Sequence, residues 1–118
     1  HSFPTRRSSD LLKANERVRE ELTCRASNGE KTAAICAAPS ILAELGVLQG
    51  KRATANPGFM AALSAGGAQA ETTPVVVDGN IVTSRGAGTA LELGFELVRQ
   101  LLGDEAAQRV RESVVWEH

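Results

Sequence analysis

The spacing of hydrophobic and polar positions divides the chain after residue 11 into alternating helices and strands. Apolar residues recur at every fourth position from residue 18 to residue 26, which predicts a helix over Glu16–Ala26 capped by the side chain of Asn15. Short apolar runs bounded by glycine, proline or asparagine predict strands. In chain order, the next predicted elements are a strand over Lys31–Ile35, a helix that opens at Ala37-Ala38-Pro39 and runs through Leu45, a strand over Arg52–Ala55 and a short helix over Phe59–Ser64.

The second half of the chain predicts a hairpin followed by two helices. The β-rich runs Thr72–Val77 and Asn80–Ser84 are separated by Asp78-Gly79, a pair that tolerates the positive φ of a type I′ turn. A glycine loop covers residues 85–88, and Thr89 and Glu92 match a capping box at the start of a helix that ends at Leu102. The remaining predictions are an apolar face of Leu91, Phe95, Val98 and Leu102, a helix over Glu105–Glu112 capped by Asp104, and a strand or packed tail over Val114–Trp116. The alternation favours an α/β layer fold with a largely parallel sheet.

Composition narrows the class of protein. The 118 residues are 42% hydrophobic and 23% charged, which is typical of one globular domain. A net charge of −1 provides no basic field for nucleic acid or an acidic membrane, and no apolar run reaches the roughly 18 residues of a membrane span. The start has no apolar core of a signal peptide, so the cytoplasm is the expected location. Two cysteines are too few for a disulfide framework.

The first eleven residues have no helical or strand period and resemble the in-frame translation of a sequencing adapter. We therefore expect residues 1–11 to be a non-native scar and residues 12–118 to be a partial domain whose gene continued upstream. Without Arg6, Arg7 and Asp10 there are 11 basic and 13 acidic residues, a net charge of −2. The alternative is a genuine basic, serine-rich targeting arm.

Cys36 is the residue most suited to chemistry. A nucleophile at a sharp turn from strand to helix projects from the sheet, and a helix N-terminus favours the ionised thiol. The next backbone N–H, that of Ala37, would then meet a developing oxyanion. The small residues on both sides allow a tight turn. The alternative is an inert, buried cysteine that packs as a small hydrophobe.

Four other residues are weaker candidates. Asn56 could orient a substrate carbonyl but cannot act as a base. Arg85 could bind an anionic group beside the glycine loop, or could be a structural arginine that satisfies loop carbonyls. Cys24 is expected to be an exposed bystander, with a sensor thiol as the alternative. Glu92 is assigned to the capping box. No His, Cys or Asp grouping has metal-ligand spacing, and residues 85–88 lack the phosphate-loop patterns, so no metal or cofactor is predicted.

Two segments resemble the DJ/ThiJ/PfpI superfamily, in its ThiJ-like and Parkinsonism-associated deglycase branch. Residues 33–39, AAICAAP, are similar to the family's nucleophile elbow, and residues 83–90, TSRGAGTA, are similar to its glycine loop. The hairpin over 77–82 stands in the right place between them. The resemblance covers residues 12–117 and implies a flavodoxin-like, class I glutamine amidotransferase-like three-layer sandwich. It also implies a homodimer and a nucleophilic, redox-sensitive Cys36.

Four features depart from the family pattern. The glutamate that partners the elbow cysteine and a Gly-Gly oxyanion loop would both lie upstream of Leu12. Asn56 stands where some members have a histidine, and Ala87 replaces the family's usual proline. We therefore expect the N-terminal strands of the sandwich to be missing. A buried parallel strand needs neighbours on both sides, so we expect the isolated piece to be marginally stable and inactive.

The resemblance implies two activities for the whole protein. One is a cofactor-free glyoxalase or deglycase, in which Cys36 attacks a small 2-oxoaldehyde such as methylglyoxal, or a glycated adduct. The other is a non-enzymatic chaperone that senses oxidation through the same thiol. An inactive truncated chain is the third possibility.

Overall fold

The computed structural model describes residues 8–117, which form six α-helices and five short strands. The helices are α1 (Ser8–Ala14), α2 (Glu16–Ser27), α3 (Pro39–Glu44), α4 (Met60–Ala65), α5 (Ala90–Leu102) and α6 (Asp104–Ser113). The strands are β1 (Thr32–Ile35), β2 (Arg52–Ala53), β3 (Gln69–Ala70), β4 (Val75–Asp78) and β5 (Ile81–Ser84). Two 3₁₀ turns cover Pro57–Phe59 and Ala87–Thr89. No helix within this part of the chain is long and apolar enough to span a bilayer.

The main sheet of the described residues has the strand order β1-β5-β4. β1 and β5 are parallel, with Thr32 opposite Ile81 and Ile35 opposite Ser84. β4 and β5 are antiparallel and form the hairpin. Because β1 and β5 are parallel and in register, their carboxyl ends lie side by side. This places the residues that follow each strand, Cys36 and Arg85, at the same edge of the sheet.

A second, two-stranded parallel sheet joins β2 and β3. Three hydrogen bonds join β2 and the residue after it to the main sheet. The Thr54 N–H donates to Thr83 Oγ1 at 2.9 Å, the Arg52 N–H donates to Asp78 Oδ2 at 2.8 Å, and Arg52 Nη2 donates to the Val77 carbonyl at 2.6 Å. The predicted strand over Arg52–Ala55 is therefore only two residues long in the structure. Side chains of the hairpin accept the backbone hydrogen bonds that a neighbouring strand would otherwise accept. β3 has no apolar alternation, and the sequence does not predict it.

The hydrophobic core lies between α3, α4 and the strands. Its members are small or aliphatic, and the described core cluster comprises Ala26, Leu42, Ala43, Leu48, Ala53, Ala55, Leu63 and Ile81. Close packing depends on Gly66, since a Cβ there would lie 2.7 Å from the Ala43 carbonyl oxygen and 2.8 Å from the Ala43 Cβ. The backbones at the end of α4 and in α3 thus approach more closely than any side chain at position 66 permits.

The hairpin is confirmed, but its turn is displaced by one residue. Asp78 pairs with Ile81, so Gly79 and Asn80 are the two central residues. Gly79 has φ of 60°, and Asn80 is not among the described residues with positive φ. This is the φ pattern of a type II′ turn, not of the predicted type I′ turn. The Asn80 side chain fixes the choice, because its Nδ2 donates to the carbonyls of Ala26 and Glu30 at the end of α2.

Two predictions for the helices after the hairpin are wrong. In α5 the buried residues are Leu93 and Phe95, whereas Leu91 and Leu102 are 52% and 74% exposed. Contacts with β5 and α6 decide which side is covered. The cap of the last helix is Gly103, with φ of 95°, and Asp104 is its first residue.

The start of the chain also differs from expectation. The Asn15 cap is confirmed, because its Oδ1 accepts from the Val18 N–H at 3.2 Å. Residues 8–11, predicted to lack helical structure, are part of α1. Helix formation there is supported by an ion pair of 2.7 Å between Lys13 Nζ and Glu44 Oε1, which ties α1 to α3. Residues 1–7 of the predicted scar lie outside the described residues.

Candidate active site

Cys36 directly follows β1, and two residues separate it from α3, which is the turn from strand to helix that the sequence predicts. The residue is exposed, and its backbone has φ of 64°. This left-handed conformation is sterically unfavourable for a residue with a Cβ, and strain of this kind concentrates at functional sites. The alternative of a buried, inert cysteine does not fit these observations.

Backbone hydrogen bonds hold the Cys36 turn on both sides. The Cys36 N–H donates to the Ser84 carbonyl at 3.0 Å, which continues the β1–β5 ladder by one residue. The Cys36 carbonyl accepts from the Asn56 N–H at 2.8 Å. The loop after β2 and the end of β5 therefore both fix the strained residue, and the unfavourable φ persists because the surrounding backbone leaves no alternative.

The backbone N–H of Ala37 is free to meet a bound group. Ala37 is buried, and in the part of the chain that the structure describes its N–H donates to no acceptor. Pro39 is the first residue of α3, so the next N–H groups of that helix begin at Ser40, whose own N–H donates to the Ala37 carbonyl. Because Ala37 directly follows Cys36 in the chain, its N–H is the candidate oxyanion donor, and that role stays a prediction.

Asn56 lies beside Cys36 through its backbone. Its side chain caps the following 3₁₀ turn, with Oδ1 accepting from the Gly58 N–H at 3.1 Å. Its Nδ2 faces the glycine loop, 3.9 Å from where a Cβ on Gly86 would stand. With its oxygen engaged, the amide has Nδ2 left to donate to a substrate carbonyl. Its predicted role in substrate binding stays a prediction.

Arg85 makes the contacts expected of a structural arginine that satisfies loop carbonyls. Its Nε donates to the Ala55 carbonyl at 3.1 Å, and its Nη1 donates to the Thr72 carbonyl at 3.4 Å. The guanidinium thus ties the glycine loop to the segment that carries Asn56. An additional role in binding a substrate anion remains a prediction.

Thr89, directly after the glycine loop, makes contacts that the sequence does not predict. The sequence assigns it to a capping box with Glu92, but α5 has no side-chain cap hydrogen bond from Thr89. Its Oγ1 instead accepts from the N–H groups of Arg85 and Gly86, at 3.2 and 3.1 Å, and lies 2.6 Å from Ser84 Oγ. Thr89 therefore closes the glycine loop, and Glu92, which is not bonded to Thr89, lines a cleft beside α5.

The second cysteine stands apart from this site. Cys24 is exposed on α2, where its sulfur accepts from Asn28 Nδ2 at 3.3 Å. Within residues 8–117, no group of three or more His, Cys, Asp or Glu side chains is arranged to hold a metal ion. The candidate site is built from Cys36, the Ala37 N–H, Asn56 and the glycine loop, and the roles of these groups in binding or catalysis stay predictions.

A model of the DJ-1/PfpI family matches residues 6–100. The chain belongs to this family. Protein DJ-1alpha of Drosophila melanogaster is 39% identical over 101 residues, which cover 86% of this chain and 46% of that protein. A deglycase of Pyrococcus abyssi is 36% identical over 99 residues, covering 84% of this chain and 60% of that protein. The chain thus spans about half the length of the curated relatives that it matches.

The fold agrees with solved structures of the same family. The crystal structure of DJ-1beta from Drosophila melanogaster superposes with a TM-score of 0.84 at 36% identity, over 93% of this chain and 59% of that one. The DJ-1/PfpI member described here therefore has the flavodoxin-like α/β fold that the elbow and glycine-loop motifs imply. The structure confirms the fold class and the family, and it corrects details of the turn, the α5 face and the helix caps.

Proposed function

We propose that the whole protein is a cysteine-dependent glyoxalase or deglycase that acts on a small 2-oxoaldehyde, such as methylglyoxal, or on a glycated adduct. The observation that carries this proposal is the exposed Cys36 at a left-handed turn, next to the unengaged Ala37 N–H. The relative from Pyrococcus abyssi that is named a deglycase supports the substrate class.

The proposed reaction begins with an attack of the Cys36 thiolate on the aldehyde carbon. A C–S bond forms, the carbonyl oxygen becomes an oxyanion next to the Ala37 N–H, and a proton completes the hemithioacetal. Transfer of the hydrogen from the former aldehyde carbon to the neighbouring ketone carbon oxidises the first and reduces the second, giving a thioester. Water then cleaves the C–S bond, so that methylglyoxal and water become lactate and the thiol is restored. Asn56 Nδ2 would orient the ketone oxygen.

Within this proposal the protein needs no metal or organic cofactor and works as a homodimer in the cytoplasm. In this proposal the general base is a carboxylate, and the family resemblance implies that it lies upstream of residue 12. The experiment follows lactate formation from methylglyoxal by the protein expressed from its full reading frame, compared with Cys36→Ser and Cys24→Ser. We expect at least about a thousandfold loss for Cys36→Ser, as for other nucleophile deletions, and wild-type rates for Cys24→Ser. Equal lactate formation by all three proteins would refute the proposal.

The second candidate function is a redox-sensing chaperone, and the same exposure of Cys36 favours it. Stepwise oxidation would take the thiolate to a sulfinic acid with peroxide as the oxidant. Mass spectrometry after mild peroxide separates the two functions. Addition of two oxygens at Cys36 in a protein without turnover supports the chaperone, whereas an unmodified Cys36 contradicts it.

A further inference from the structure

A cleft of about 690 Å³ lies between the start of β4, helix α5 and the tail after α6. Its apolar walls include Phe95 and Trp116, with Pro74 and Val75 at the start of β4, and its charged walls include Glu92 and Arg111. The volume lies within the range of small-molecule sites, about 300–1,000 Å³. Gly88 of the glycine loop also lines the cleft, whereas Cys36, Ala37 and Asn56 do not.

The tail reaches the cleft through a strained turn. The N–H of Trp116 donates to the Arg111 carbonyl at 2.9 Å, and the N–H of Val115 donates to the Glu112 carbonyl at 3.1 Å. These are the two bonds of a Schellman motif, in which the left-handed position is usually glycine. Here Val115 occupies it with φ of 57°, a rare conformation for a β-branched residue. The result is a T-shaped contact between Trp116 and Phe95, with ring centroids 5.2 Å apart.

One charged group of the cleft, Glu96, is paired with an arginine, whereas Glu92 and Arg111 are not paired within residues 8–117. Glu96 accepts from Arg99 Nε and Nη2 and from Gln100, so its charge is already compensated. Arg111 lies over the Phe95 ring at 5.1 Å and forms no ion pair within the described part of the chain. Glu92 likewise has no hydrogen-bond or ion-pair partner among those residues. One carboxylate and one guanidinium thus face the same cleft without bonding to each other.

We propose that this cleft binds a small zwitterion, namely a free α-amino acid with an apolar side chain. The carboxylate of the ligand pairs with the guanidinium of Arg111, and its ammonium group pairs with Glu92. The apolar side chain lies against the aromatic pair and Val75. A singly charged ligand leaves one of the two protein charges without a partner, so both charges of the zwitterion are needed for tight binding.

Trp116 is the one tryptophan of the 118-residue sequence, so the tryptophan fluorescence of this chain reports directly on the cleft. The probe is L-leucine, which does not absorb at the excitation wavelength. N-acetyl-leucine lacks the ammonium charge, and leucinamide lacks the carboxylate. We expect a saturable change in fluorescence with leucine, and at least about tenfold weaker binding of each derivative, since a hydrogen bond to a charged group is worth about that factor. Equal binding of leucine and N-acetyl-leucine, or no saturable change with leucine, would overturn the proposal.

Charge-neutralising variants test the two named partners. Glu92→Gln and Arg111→Gln should each weaken leucine binding about tenfold. Glu105→Gln and Arg109→Gln change the same charges at exposed positions of α6 outside the cleft and should bind as the wild type does. Far-UV circular dichroism checks that all four variants keep their helix content, and Arg111→Lys, which retains a charge, should recover part of the affinity. Unchanged binding by folded Glu92→Gln or folded Arg111→Gln would contradict the assignment.

Discussion

Asn56 holds Cys36 in place through the backbone and not through its side chain. The Asn56 N–H donates to the Cys36 carbonyl at 2.8 Å, and the Asn56 amide oxygen is occupied by the Gly58 N–H. The loop after β2 therefore contributes to the rigidity of the strand-to-helix turn whichever side chain stands at position 56. The elbow can therefore form without a histidine at position 56. The side chain at that position affects which groups can contact the substrate, but it does not determine the backbone conformation of Cys36.

Strain at Cys36 predicts opposite effects of glycine at the two cysteines. Cys36 has φ of 64°, a conformation that costs a residue with a Cβ about 1–2 kcal/mol, whereas glycine adopts it freely. After the greater entropy of glycine in the unfolded chain is subtracted, Cys36→Gly should raise the free energy of unfolding by about 0.5–1 kcal/mol. Cys24→Gly, within helix α2, should lower it by about 0.5 kcal/mol. Urea denaturation measures both, and destabilisation by Cys36→Gly would show that the elbow is not strained.

The elbow could be predicted from sequence because its signal is local. A strand, a cysteine, two alanines and a proline follow one another within nine residues, and each fixes the backbone of its own segment. The chain order of elbow, hairpin and glycine loop was sufficient to identify the family and hence the fold. Position 36 is also where the local rules are broken, since nothing in the cysteine itself favours a positive φ.

We expect the hydroxyl of Thr89 to stabilise the glycine loop by an amount that can be measured as free energy of unfolding. Its Oγ1 accepts from two backbone N–H groups, those of Arg85 and Gly86, which the isosteric valine cannot do. Thr89→Val should therefore lower the free energy of unfolding by about 2 kcal/mol, since it leaves two donors without their acceptor. The control is Thr73→Val, which removes one long contact of 3.5 Å at an exposed position and should change stability by less than about 0.5 kcal/mol. Equal effects of the two substitutions in thermal unfolding would show that Thr89 does not close the loop.

Tertiary contacts explain why the rest of the site could not be predicted. The sequence around Thr89 matches a capping box, but the N–H groups of the preceding loop compete for the same hydroxyl. The apolar face of α5 is another example, because the helical period cannot say where α6 will pack. Trp116 reaches Phe95 only through the positive φ of Val115, and no residue preference announces that turn. The features that the sequence analysis did not predict correctly thus depend on backbone strain or on contacts between segments that are distant in the chain.

Because the ionised form of Glu96 is hydrogen-bonded in the folded protein, we expect part of the folding stability to be lost in acid. Hydrogen bonds from Arg99 lower the pKa of Glu96 below its ordinary value of 4.5, and the amide of Gln100 acts in the same direction. A pKa that is lower in the folded state adds stability above the unfolded value, and that stability is lost as the pH falls from about 4.5 through the folded pKa. Glu96→Gln should therefore be less stable than the wild type at pH 7, and the difference should shrink below pH 4.5. Urea denaturation at a series of pH values measures it, and a gap that is constant with pH would contradict the assignment.

Two glycines in ordinary backbone conformations predict opposite responses to alanine. Gly66 has φ of −83°, so only space limits it, and a Cβ there would meet the backbone of Ala43 at 2.7 Å. Because main-chain atoms cannot rotate away, Gly66→Ala should lower the free energy of unfolding by about 1–3 kcal/mol. Gly94 lies on an exposed side of α5, and a Cβ added there would meet nothing within 4 Å. Because alanine has the higher helix propensity, Gly94→Ala should raise the free energy of unfolding by about 0.5–1 kcal/mol. Chemical denaturation of the two variants under one set of conditions decides the matter. If Gly66→Ala is as stable as Gly94→Ala, the close approach of α3 and α4 is not required for the core.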